Sequence, residues 1–140
     1  MSMDCVFCRI LAGEEPASVI HRGDGVLAFM DISQVTRGHA LVIPARHVEN
    51  VYGLSDEEAA TLMATGARVA RALKEALQPA GVNFWMANET AAGQDVMHAH
   101  LHVIPRYPGD GFGVHYERRR RCSRAELDGL AVTIQSRLAG

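Results

Sequence analysis

Long hydrophobic runs are missing from this 140-residue chain, and no apolar stretch approaches the length of a membrane span. The opening MSMDCVFCRI lacks the apolar core of a signal peptide, so a cytoplasmic location is expected. Cysteine is scarce. Three residues, Cys5, Cys8 and Cys122, are too few and odd in number, which argues against a disulfide framework. An excess of one charge is also lacking: the net charge of −2 gives no general drive toward nucleic acid or an anionic membrane. The run Arg118–Arg121 is a local exception, read as a solvated loop rather than a phosphate contact. There is no internal repeat and no low-complexity linker. The glycine-rich strand-to-helix turn of a dinucleotide or P-loop fold is absent as well, and no organic cofactor is expected.

What is present fits one ordinary globular domain spanning residues 1–140, with 48% hydrophobic and 21% charged residues. Such a chain buries about two-thirds of its unfolded surface, enough for a core without covalent staples. VFCRILAG reads as a short helical turn stopped by Gly13 and Pro16. GVLAFMDI (Gly25–Ile32) and HALVIPA (His39–Ala45) read as an antiparallel strand pair, the second closed by Pro44. The clearest helix runs from Ser55 to about Gln78. Ser55 and Glu58 form a capping box, and Leu62, Gly66, Val69, Leu73 and Leu77 fall on one face. Val82–Asn88 is another strand, and Ser123 with Glu126 caps a last helix containing Leu127, Leu130, Ile134 and Leu138. Strands around one long helix indicate an α+β fold with an antiparallel sheet.

The chemistry concentrates in HAHLHVIP, where His98, His100 and His102 stand at every second position. On a strand these share one face, about 6–7 Å apart, with Ala99, Leu101 and Val103 behind them. Each imidazole needs partners for its polar nitrogens, so three in a row exceed what a packed core requires. Two chemistries use such a row. A metal hydrolase takes His98 and His100 as ligands and keeps one position open for water. Alternatively, one neutral imidazole attacks phosphorus or carbon while its neighbours set its tautomer. Gly93-Gln94, just before the row, offers backbone amides and a neutral side-chain amide, groups suited to phosphate oxygens. Cys5 and Cys8 have the C-x-x-C spacing, which in a reducing compartment indicates metal or redox chemistry, and Cys122 is a bystander.

GQDVMHAHLHVIPR resembles the signature of the histidine triad family. CVFCRILAGEEP resembles that family's N-terminal segment and LAFMDISQVTRGHALVIPARHV its central hairpin, so only the part after about Gly111 lacks a counterpart. The resemblance implies a five-stranded antiparallel sheet with one long helix and a C-terminal helix, in a homodimer whose two sheets join. It also implies a nucleotidyl hydrolase or transferase acting at the α-phosphate of a purine nucleotide. Phosphoramidates are the first expected substrates, ahead of dinucleoside polyphosphates. By position, His100 resembles the nucleophile, His102 a phosphate contact and Gln94 an amide near the transferred phosphate, with Gly93 and Asn88 beside them. Asp31 resembles the acid that accepts the ribose hydroxyls, and Phe7, Ile10 and Ile32 an apolar slot for the base. Asp95 stands where one branch of the family has serine. His39 is typical of the hairpin but receives no step. Cys5, Cys8, His47 and His98 make up a Cys₂His₂ set, matching a structural zinc site found in some triad proteins. The other class of reading is a nucleotide-binding regulatory module that keeps the fold without turnover.

Overall fold

The computed structural model describes residues 4–113 and 119–138, so Arg118 of the arginine run lies outside the described residues. In chain order the elements are α1 (Val6–Leu11), β1 (Val19–Gly23), β2 (Val26–Met30), β3 (Ala40–Pro44), α2 (Asp56–Leu77), β4 (Gly81–Trp85), β5 (Leu101–Arg106) and α3 (Arg124–Leu138). The five strands form one antiparallel sheet in the order β1-β2-β3-β5-β4. β3 ends at Pro44 as expected.

Side-chain alternation divides the sheet between two cores. Val26, Ala28, Ala40, Val42, Leu101 and Val103 face α2 and meet its Leu62, Val69 and Leu73. Leu27, Phe29, Leu41 and Ile43 face the other way, onto α1 through Cys5, Phe7, Cys8 and Ile10. α2 begins with both halves of the Ser55–Glu58 capping box and ends at Gln78 in the left-handed conformation. Gly66 lets α2 approach β5 closely, since a Cβ there would lie 2.8 Å from Leu101 Cδ2. Gly38 has φ +99°, and its missing Cβ leaves room for Leu77 and Pro105.

Three features differ from the sequence reading. The residue pattern located four strands and not β1. This is an edge strand, mostly exposed and carrying a register shift between Val19 and His21, so its apolar residues do not alternate cleanly. The histidine strand joins the ladder only at Leu101. His98 and His100 precede it, on a segment tied in by the Ala99 N–H donating to the Val48 carbonyl at 2.7 Å. The last helix forms, but Ser123 alone caps it: Glu126 turns to Arg120 at 2.9 Å, and α3 has no buried residue. That exposed ion pair agrees with the solvated reading of the arginine run at Arg120.

Candidate functional site

The α1 side of the sheet carries the site. His102 lies opposite Leu41 on β3 and Trp85 on β4, while Leu101 and Val103 point away into the α2 core. The Phe7 ring packs edge-on against His98 and His100, with centroids 5.9 and 5.2 Å away, and is backed by Phe29. Apolar walls therefore enclose the imidazoles and penalise their charged forms.

Hydrogen-bond partners assign the tautomers of His98, His100, His39 and His102. His98, fully buried, sends Nε2–H to the Pro44 carbonyl at 2.9 Å, which leaves the Nδ1 lone pair facing Cys5 Sγ at 3.5 Å and Cys8 Sγ at 3.7 Å. His47 Nδ1 lies 3.2 Å from Cys8 Sγ. Ligands around tetrahedral zinc, with Zn–S about 2.3 Å and Zn–N about 2.0 Å, stand roughly 3.5 Å apart, so this cluster fits the ion. Burial pushes the Cys5 thiol up and the His98 imidazole down. Neutral His98 is the form that ligates, and a bound dication reverses the effect on the thiol. Helix α1 presents both cysteines: Cys5 is its N-cap, and Cys5 Sγ accepts from the Cys8 amide at 3.4 Å. All four donor atoms lie within 4.8 Å of one another and His100 is not among them.

His100 donates Nδ1–H to the carbonyl of His98 at 2.7 Å. In the neutral ring the Nε2 lone pair is then directed away from the backbone. His102 is governed by a chain of donors. The Val35 amide donates to His39 Nδ1 at 3.2 Å, so the proton of neutral His39 sits on Nε2, which lies 2.8 Å from His102 Nδ1. His102 therefore carries its own proton on Nε2. Burial, then His100 and His39, hold the His102 pKa down to about 4 against Asp31 and Asp95, and burial likewise lowers His39. Both rings are thus neutral at pH 7. Asp31 and these two rings could also be seen as metal donors, but the short His39–His102 contact is already a hydrogen bond.

Asp31 closes β2. Its Oδ1 accepts from the Ser33 amide at 2.8 Å and its Oδ2 lies 3.4 Å from His39 Nε2, so the carboxylate serves the turn and the relay together. Gln34 accepts from the Gly38 and His39 amides and donates to the carbonyls of Asp31 and His39, fixing both site residues. The sequence reading missed Gln34, and nothing distinguishes it among the polar residues of DISQVTRGHA. It also gave His39 no step, although a residue two before Leu41 is a diagonal neighbour of His102 across the β3–β5 pair.

Gln94 does not offer its amide to the site. It is 2% exposed, accepts from the Glu89 amide at 2.8 Å and donates to the carbonyls of Glu49 and Val96, so both of its N–H donors are used in holding the loop. The Gly93 and Gln94 amides are likewise engaged, by Thr90 and Glu89. Asn88 spends its Oδ1 on the Val51 amide at 2.8 Å. The expected base slot is not formed by its three residues together, because Phe7 and Ile10 belong to the buried core while Ile32 is wholly exposed. Asp95 extends into solvent with Oδ1 3.5 Å from His100 Nε2.

A family model described as the HIT domain matches residues 12–109. A HIT-family protein from Bacillus subtilis is 41% identical in its crystal structure, with a TM-score of 0.92 over 98% of this chain and 99% of that one. A zinc-bound histidine triad protein from Mycobacterium smegmatis is 38% identical, with a TM-score of 0.76 over 97% and 99%. A histidine triad nucleotide-binding protein from Candida albicans is 25% identical, with a TM-score of 0.87 over 97% and 98%.

Proposed function

The chain belongs to the histidine triad (HIT) family, and from that premise we propose that it is a nucleotidyl hydrolase or transferase with His100 as its nucleophile. The substrate is a purine nucleotide attacked at the α-phosphate, with phosphoramidates the first class and dinucleoside polyphosphates the second. The observation that carries this reading is the bond from His100 Nδ1–H to the His98 carbonyl, which leaves the Nε2 lone pair for attack. That lone pair forms an N–P bond as the leaving group departs with its electrons. Water then attacks phosphorus, the N–P bond breaks, and a nucleoside monophosphate is released.

Neutral His102 supports both steps as an Nε2–H donor to the phosphate oxygens, its tautomer set by His39. Asp31 Oδ2, only partly committed to His39, is the acceptor for the ribose hydroxyls, with exposed Ile32 beside it for the base. Gln94 acts at one remove, by holding the loop that carries Asp95.

Zinc on Cys5, Cys8, His47 and His98 is structural: four protein ligands close the tetrahedron and leave no position for a reacting water. The M. smegmatis relative supports this reading by its bound zinc, and the closed donor set disfavours a metal-dependent hydrolase. We also assign a homodimer, because edge strand β4 exposes Phe84 and Trp85 and α2 exposes Met63. Among the described residues no helix is long and apolar enough to cross a membrane, and the proposed location is the cytoplasm, where the three thiols stay reduced.

The test is His100→Ala. Turnover of an adenosine phosphoramidate should fall by about a thousandfold or more while AMP still binds through the Asp31 region. Turnover near the wild-type rate removes His100 as the nucleophile. A folded, nucleotide-binding wild type with no turnover of either substrate class favours the regulatory-module reading.

A further inference from the structure

We propose that Asp95 selects the leaving group, favouring an amine that carries N–H over a polyphosphate. The inference rests on His100 being the nucleophile and concerns only what departs from phosphorus.

Three observations converge on this residue. Asp95 Oδ1 lies 3.5 Å from His100 Nε2, the atom with the free lone pair. The His100 side chain is 2% exposed whereas that of Asp95 is 82% exposed, so a group reaching Nε2 from solvent passes beside this carboxylate. The neighbouring residue Gln94 is pinned by bonds to Glu89, Glu49 and Val96, which fixes where the Asp95 backbone sits while its side chain stays free to turn.

The chemistry follows from what a carboxylate can accept. An ionised Asp has acceptors only, and a phosphoramidate nitrogen offers it N–H, more so once protonated. A bridging P–O–P oxygen offers lone pairs alone, and the departing polyphosphate adds negative charge that Asp95 repels. In-line attack places the leaving atom on the far side of phosphorus from Nε2, so Asp95 meets it by turning outward from its place beside that nitrogen, as its 82% exposure allows. The substrate nitrogen takes a proton from solvent, and Asp95 accepts its N–H. The Nε2 lone pair then forms the N–P bond, the P–N bond to the leaving group breaks, and its electron pair departs with a neutral amine. The repulsion between Asp95 and the α-phosphate itself is common to every substrate. It cancels in a ratio of two substrates, which isolates the leaving-group effect.

The experiment compares kcat/KM for adenosine 5′-phosphoramidate and diadenosine tetraphosphate in the wild-type holoprotein, Asp95→Asn and Asp95→Glu. Asparagine keeps the shape and removes the charge. One unit charge a few ångströms from the leaving group, partly screened by water, is worth about tenfold for each substrate in opposite directions. The preference for the phosphoramidate should therefore fall by about a hundredfold in Asp95→Asn and persist in Asp95→Glu. Equal changes for both substrates in Asp95→Asn, leaving the ratio within about threefold of wild type, overturn the role of Asp95 while His100 stands. A wild type that turns over neither substrate overturns both assignments.

Discussion

Removing zinc should cost both stability and rate, and the structure sets the size of each. The donors tie α1 to the end of β3 and the start of β5, closing a separation of 39 residues between Cys8 and His47 and one of 90 between Cys8 and His98. On the chain-entropy estimate for a cross-link, the first loop alone is worth about 4 kcal/mol. That is a large part of the ~5–15 kcal/mol that holds a domain folded. Cys8→Ala, or wild type stripped with a strong chelator, should lose about this much and melt roughly 15 °C lower. The rate should respond because His98, a ligand in the proposed zinc site, also provides the carbonyl that fixes the His100 tautomer. Weakening that one bond costs about 1 kcal/mol, so kcat falls by up to about tenfold in protein that remains folded. Thermal melts, metal analysis by mass spectrometry and steady-state kinetics, with Cys122→Ser as control, measure all three quantities. Protein purified without chelator that holds far less than one zinc per chain, and melts unchanged after chelation, refutes the structural site. Complete loss of turnover in stripped but folded protein would instead revive a catalytic metal.

Further outcomes follow from packing and electrostatics. His39→Ala removes the donor to His102 Nδ1 and leaves the Val35 amide without its acceptor; kcat should fall about tenfold with KM little changed, whereas a rise in KM alone would show that His39 acts only on binding. Gly66→Ala gains about 1 kcal/mol of helix propensity but drives a Cβ to 2.8 Å from Leu101 Cδ2 and 3.3 Å from Phe84. Overpacking of about 1–3 kcal/mol outweighs that gain, so denaturant melts should show a net loss near 1 kcal/mol, and a stabilised variant would show that the α2–β5 contact yields. The native state keeps His102 neutral down to about pH 4, while the unfolded chain protonates it near 6.5. Its contribution is therefore present above pH 6.5 and lost as pH falls toward 4, at no more than about 1.4 kcal/mol per pH unit. His102→Phe should flatten that acid limb in urea melts, and an unchanged slope would place the titration elsewhere.

Most of the fold was legible because local signals and burial agree. The Ser55–Glu58 capping box, the helical stripe and the alternation of β2 and β3 each satisfy one periodicity, and the structure uses them as read. β1 escaped because an exposed edge strand needs no apolar alternation. At the site, the Cys5–Cys8 pair is legible because its spacing is local, whereas His47 and His98 lie 39 and 90 residues from Cys8 and come with the family resemblance; the four donor atoms lie within 4.8 Å of one another. The partners of Gln94 were not legible, because sequence gives the type of a polar side chain and not its direction. Buried among three backbone partners, it has both N–H donors engaged. His39 and Gln34 act through contacts that depend on strand register and hairpin shape, which residue type alone does not encode.

The central claim is a covalent bond at one nitrogen. Wild-type holoprotein mixed with adenosine phosphoramidate, quenched within one turnover and digested at alkaline pH, should yield the peptide containing His98–His102 with one added nucleotidyl group. Fragmentation should locate that group on His100, and its rate of appearance should match or exceed kcat. Steady turnover with no adduct during the burst, or an adduct on any residue other than His100, contradicts the account.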